Sequence, residues 1–188
     1  MADDTEYLGG RRRSRWRLAA WSTAAALILL PLMAMRFTDD VDWTAADFAF
    51  ASALVIGVGL TYELAARTTA NRAYRTAVGV ALAAAFLLIW INGAVGIIGS
   101  EDNPANRMYG GVLAVGIIGA IVARFQAYGM ARVLVAAALV QVLVAVIALI
   151  AGFGFTGPVT VFFAGLWLAS AWLFEKAGRE QDPAGEAL

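Results

Sequence analysis

Residues 90–119 read WINGAVGIIGSEDNPANRMYGGVLAVGIIG. The hexapeptide Ala94-Val95-Gly96-Ile97-Ile98-Gly99 returns as Ala114-Val115-Gly116-Ile117-Ile118-Gly119. Between the copies lies the most polar short loop in the apolar part of the chain. Two apolar, glycine-rich segments around one turn predict a tightly packed transmembrane hairpin. The echo is too short for the internal repeat of a transporter, and chance in a Gly/Ala/Val/Ile-rich sequence accounts for it equally well.

The rest of the chain has the same character. Of 188 residues, 61% are hydrophobic and only 15% are charged, with a mean hydropathy of +0.73. A soluble domain is about half apolar and about a quarter charged. Here the charges cluster between long apolar runs. A run of about 18 or more apolar residues crosses a bilayer core as a helix, and several such runs occur. The expectation is an all-α integral membrane helical bundle with no separate soluble domain.

Net charge is zero, so no global attraction to nucleic acid is implied. Cysteine and histidine are absent. That removes disulfides, thiol redox chemistry, iron–sulfur clusters and the usual zinc and haem ligands. It also removes the commonest general base and the cysteine nucleophile. The one lysine, Lys176, lies near a predicted span end. No enzyme, cofactor or metal site is expected.

Six spans are predicted, within residues 18–175. A basic N-tail (residues 1–17) precedes them and a polar C-tail (residues 176–188) follows. The first span covers residues 18–35 and carries Pro31 near its end. It is too long for a typical signal core and lacks a convincing cleavage site. The paired arginines before it match a twin-arginine signal poorly. Thr44-Ala45-Ala46-Asp47 fits a capping box that opens the second span, residues 45–66. Glu63 and Arg67 near its end are spaced for a helical ion pair. The third span is read over residues 73–99. Asn103-Pro104 then reads as an N-cap with Pro at the first helical position, starting a fourth span that runs to residue 125. Gly129 is expected to end it or break the connection. The fifth span covers residues 131–153. After a glycine turn, the sixth runs over residues 158–175, starting at Pro158.

Lys and Arg fix the orientation. Five lie in the N-tail (Arg11, Arg12, Arg13, Arg15, Arg17). Arg67, Arg72 and Arg75 follow the second span, Arg124 and Arg132 flank the fourth turn, and Lys176 and Arg179 close the chain. Twelve of the fourteen therefore fall on one side if six spans run with both termini inside. Only Arg36 and Arg107 fall outside, beside Asp39, Asp40 and Asp42 in one outer loop and Glu101 and Asp102 in the other.

Few residues offer chemistry. In the outer loop, Glu101, Asp102, Asn103 and Asn106 present oxygens suited to a hard cation. The same residues are what a turn and a helix cap use, and no EF-hand spacing is present. Asn92 and Gln141 are the amides within the spans. Intramembrane polar groups mark function by default, while hydrogen bonds between helices are the milder reading. Ser52 lies near the level of Asn92 and Ser170 near that of Gln141, so two separate interhelical bonds are expected rather than a continuous polar path. Gly96, Gly99, Gly116 and Gly119 are read as small residues that let two helix backbones approach. Trp16, Trp21, Trp43, Tyr74, Tyr109 and Tyr128 sit near span ends, as interfacial anchors do. Trp90, Trp167 and Trp172 lie deeper, as contact fillers or lipid-facing rings.

WINGAVGIIGSEDNPAN, with the earlier DWTAADF and GLTYELAAR, resembles multi-pass membrane proteins of Gram-negative bacteria, over most of the hydrophobic region. The resemblance implies an inner-membrane location and carries no activity and no site residues. The residues point first to a non-catalytic accessory or structural component. Its partners would be the lipid bilayer and a membrane protein or a second copy of the chain. The alternative is a small transporter or channel with a polar path near Asn92 and Gln141.

Overall fold

The computed structural model describes residues 18, 21–23, 25–26, 28–38 and 41–182. The basic N-tail, Asp39, Asp40 and the last six residues of the C-tail lie outside the described residues. Every regular element among the described residues is helical. A shorter apolar helix, α1 (Trp21–Ala34), comes first. Then follow α2 (Ala45–Thr68), α3 (Arg72–Ala94), a 3₁₀ turn (Pro104–Arg107), α4 (Met108–Val122), α5 (Ala127–Ile150) and α6 (Gly157–Gln181). Five of these, counting the 3₁₀ turn with α4, are long and apolar enough to cross a membrane. The chain is thus an all-helical, multi-pass membrane protein by length and composition. Residues 19, 20, 24 and 27 of the first predicted span lie outside the described residues.

Local signals set the helix ends. At the start of α2, the Thr44 N–H donates to Asp47 Oδ2 at 2.8 Å and the Asp47 N–H to Thr44 Oγ1 at 3.3 Å. That is the reciprocal capping box. Trp43 and Phe48 close it as a hydrophobic staple, rings 5.1 Å apart. Near its end, Arg67 and Glu63 pair at 3.1 Å. Asn71 caps α3 by accepting from the Tyr74 N–H at 2.8 Å. Asn103 caps the 3₁₀ turn, accepting from the Ala105 N–H at 3.0 Å, with Pro104 first in the turn.

The chain divides at Gly57/Val58 into two compact units. The second, Val58–Leu188, holds α3 to α6. In it α6 packs on both α3 and α5, and α4 packs on α5. The inward stripe of α5 is Leu134, Ala137, Ala138, Gln141, Val144 and Ala148, the i, i+3, i+4, i+7 spacing of one helix face. Small residues along it bring the helices close. Leu88, Tyr109, Phe163 and Phe174 fill the space between. The edge of Tyr74 meets Phe174 at 5.0 Å.

Three further boundaries differ from the sequence reading. The third helix stops at Ala94 rather than residue 99. Val95 caps it, and Gly96 follows with φ +69°, the left-handed residue that commonly ends a helix. Gly129 does not break the fourth connection. That turn is made by Arg124 and Phe125, both left-handed, with Phe125 N–H bonded to Ala120 O and Arg124 N–H to Ile121 O. Gly129 instead lies inside α5, where a Cβ would come within 2.8 Å of Ala123 Cβ. The sixth helix continues past residue 175 to Gln181. Pairs at Glu175–Arg179 (3.0 Å) and Lys176–Glu180 (4.0 Å) support the extension, and Asn71 Nδ2 donates to Glu180 Oε2 at 2.9 Å.

Candidate functional site

The polar side chains within the second unit form two centres, one at the end of α3 and one in the bundle core. The first is built on Asn106, which is 4% exposed. Its Oδ1 accepts from the N–H groups of Ile97 (3.0 Å) and Ile98 (2.8 Å). Its Nδ2 donates to the carbonyls of Ser100 (2.6 Å) and Ile98 (3.4 Å). The Asn92 side chain donates to the Asn106 carbonyl at 3.2 Å. One asparagine thus satisfies the backbone of the loop after α3, where no helix partners remain. Because α3 ends early, Asn92 lies about 3 Å from its helix end, not deep in a span.

This arrangement uses the groups that a cation would need. The side-chain oxygens of Asn103 and Asn106 already accept backbone N–H bonds. Glu101 and Asp102 are exposed. Among the described residues no three Asp or Glu side chains converge as a metal site would require. Gly96 and Gly99 lie in this loop with φ +69° and +72°, so they shape a turn and do not sit on a packed helix face. Gly116 has nothing within 4 Å of a would-be Cβ. Gly119 is the one of the four at a close approach between helices: its Cβ would fall 2.6 Å from Val133 Cγ1.

The second centre is Gln141, with 0% exposure. By its position in α5 it lies about 21 Å from the start of the helix and about 14 Å from its end, near mid-span. Neither amide atom has a hydrogen-bond partner. The expected partner at this level, Ser170, donates instead to Ala77 O on α3 at 2.7 Å. That bond ties α6 to α3 and leaves Gln141 without one. A residue with no accessible surface adjoins no void that a water molecule fits. Gln141 is therefore a dry, unsatisfied amide, a state that costs on the order of 1–3 kcal/mol.

Arg75 Nε and Asn92 Oδ1 are likewise buried without a partner, and two buried side chains share this condition. Tyr109, 1% exposed, has a hydroxyl near the Thr156 side chain but not hydrogen-bonded to it. Trp167 is buried with its indole N–H unpaired. The sequence reading took Tyr109 for an interfacial anchor, and the structure corrects that: it is core. The available signal was spacing, since Tyr109 stands one turn after Asn106 and three residues before Val112, on one inward face. Comparison with known proteins found no matching family model, no matching curated protein and no matching solved structure.

Proposed function

We propose that the chain is a six-span protein of a bacterial inner membrane with both termini in the cytoplasm, and that it acts as a non-catalytic accessory or structural component. One observation carries this reading: four polar side chains of the bundle bond to the bundle's own backbone. Ser170 bonds Ala77 O, Asn92 bonds Asn106 O, Asn106 bonds the loop, and Tyr74 bonds Phe125 O at 2.6 Å. Such bonds make a fixed scaffold. The outward face of α4, with Ile117, Ile118, Ile121 and Val122 all exposed, offers an apolar surface to lipid or to another membrane helix. The bias of twelve basic residues to one side supports the threading, and the resemblance to membrane proteins of Gram-negative bacteria supports the location.

Crosslinking in native membranes, followed by mass analysis, tests the accessory role. A partner protein or a second copy is expected, and a lone monomer at every crosslinker dose refutes it. Reporter fusions at residues 38, 70, 102, 126 and 154 and at both termini test the threading. The second reading, a small transporter or channel, is favoured by the unpaired polar groups of Gln141, Tyr109 and Trp167. Solute or ion flux in proteoliposomes that falls on substituting Gln141 would replace the first reading with this one.

A further inference from the structure

Exposed apolar helix faces meet lipid all around a membrane bundle, so a specific lipid site needs a shaped cavity and a charge. One surface groove has both. It lies between α5 and α6, holds about 510 Å³, and falls within the range of about 300–1,000 Å³ usual for small-molecule sites. Val135 and Leu168 make an apolar stretch, and Tyr128, Arg132, Trp172 and Glu175 surround its polar end. Arg132 lies about 8 Å from the start of α5, the depth at which an arginine reaches a lipid headgroup.

Arg132 is exposed and makes no ion pair or hydrogen bond with any described residue. Glu175 shares the groove, but its carboxylate is held by Arg179 at 3.0 Å. A second cation, Lys176, sits with its amino group 5.9 Å from the Trp172 ring centre. The polar end therefore presents a guanidinium with no ion-pair partner among the described residues, framed by Tyr and Trp rings of the kind that favour the membrane interface. A guanidinium fork matches a phosphate in two parallel hydrogen bonds. An apolar partner helix in the groove would leave that charge unpaired. An anionic phospholipid brings the counter-charge and the apolar chain in one molecule.

We propose that this groove holds one anionic phospholipid, with its phosphate on Arg132 and an acyl chain along Val135 and Leu168. The site is independent of whether the chain serves as an accessory or a transport protein.

Native mass spectrometry of the full chain in mild detergent, titrated with phosphatidylglycerol or phosphatidylcholine, tests it. One phosphatidylglycerol is retained in preference to phosphatidylcholine. Arg132→Gln weakens its retention about tenfold, the scale of one charge-assisted bond. Arg124→Gln, an exposed arginine outside the groove, changes it less than about twofold on the same scale. Leu168→Trp fills the apolar stretch and lowers retention with Arg132 intact. Circular dichroism confirms that each variant keeps its helix content. Equal retention of both lipids, no effect of Arg132→Gln, or an equal loss from Arg124→Gln would overturn the proposal, since each means bulk lipid or diffuse charge in place of a site.

Discussion

Replacing Gln141 with methionine asks whether the bundle interior is dry. The two side chains are similar in length and volume, so packing changes little. What changes is an amide with no partner and no accessible surface. Burying such a group costs about 1–3 kcal/mol in proteins. Not all of that returns in a membrane. The reference state is separated helices in lipid, where the same amide meets hydrocarbon or finds other partners, and measured polar contributions shrink accordingly. The smaller figure governs, so Gln141→Met should stabilise by about 1 kcal/mol, or about 2–4 °C in midpoint for a chain of this size.

The assay is thermal or dodecyl-sulfate unfolding of wild type and variant in one detergent–lipid mixture, followed by circular dichroism. Gln141→Glu is the companion. It keeps the shape but adds an ionisable group, which a dry site holds only by neutralising it. That variant should be clearly destabilised, whereas a hydrated path would tolerate it. If Gln141→Met instead loses 1 kcal/mol or more, on the scale of a lost buried hydrogen bond, the amide has a water or solute partner in the membrane. The dry-scaffold reasoning then fails and the transport reading gains.

Asn106→Ala removes the acceptor for two backbone N–H groups and the donor to two carbonyls. A loss of about 2 kcal/mol is expected, part of the full penalty being relieved by water at the loop, and amide exchange at Ile97 and Ile98 should quicken. Unchanged protection there would contradict the clamp. Gly96→Ala forces a side chain into the left-handed region, which alone costs about 1–2 kcal/mol, and drives its Cβ into the Ser100 backbone. Gly110→Ala is the contrast, because it is helical with nothing within 4 Å, and should stabilise by about 0.5–1 kcal/mol. Equal effects at the two positions would undo the distinction between turn and helix glycines. Ser170→Ala cuts the bond to Ala77 O and should cost about 0.6 kcal/mol, the average for an intramembrane side-chain bond. A loss several times larger would mean that the hydroxyl serves more than this one carbonyl.

Most of the helix starts were legible because their signals are local. Thr44 with Asp47 and Asn103 with Pro104 each lie within four residues of the end they define, and each end forms there, while Pro158 sits one residue inside the start of α6 at Gly157. Helix stops were harder. The turn after α4 uses Arg124 and Phe125 in a conformation that non-glycine residues seldom adopt, while the nearby glycine, Gly129, serves packing inside α5. The Tyr74 hydroxyl bond to Phe125 O helps hold that turn from 51 positions away, and no local pattern announces it. The polar centres were half legible. Asn92, Asn106 and Gln141 stand out as amides among apolar residues. Their partners do not, because the pairing depends on which helix faces which. Ser170 lies near the level of Gln141 in a list of spans, yet α6 turns that hydroxyl toward α3.

The repeated hexapeptide makes the same point at the backbone. Its second copy is helical throughout, inside α4. Its first copy leaves the helix after Ala94 and turns twice, at Gly96 and Gly99. Six identical residues cannot decide between these outcomes. Glycine costs about 1 kcal/mol in a helix interior, in both copies alike. What differs is where the amides of the third and fourth residues after Ala94 find acceptors, since a buried backbone N–H must find one. A continuing helix would have offered the Gly93 and Ala94 carbonyls to Ile97 and Ile98. Asn106 Oδ1 takes both amides instead. It is placed to do so by Asn103 and Pro104, which start a new turn and fold the chain back. After the second copy an amide, Gln126, stands at the same offset that Asn106 has from the first, but it is the N-cap residue of α5 and makes no side-chain cap bond, and α4 runs on to Val122. The conformation of the first copy is thus written eight or nine residues downstream of Ile97 and Ile98, in one side chain that substitutes for a helical turn.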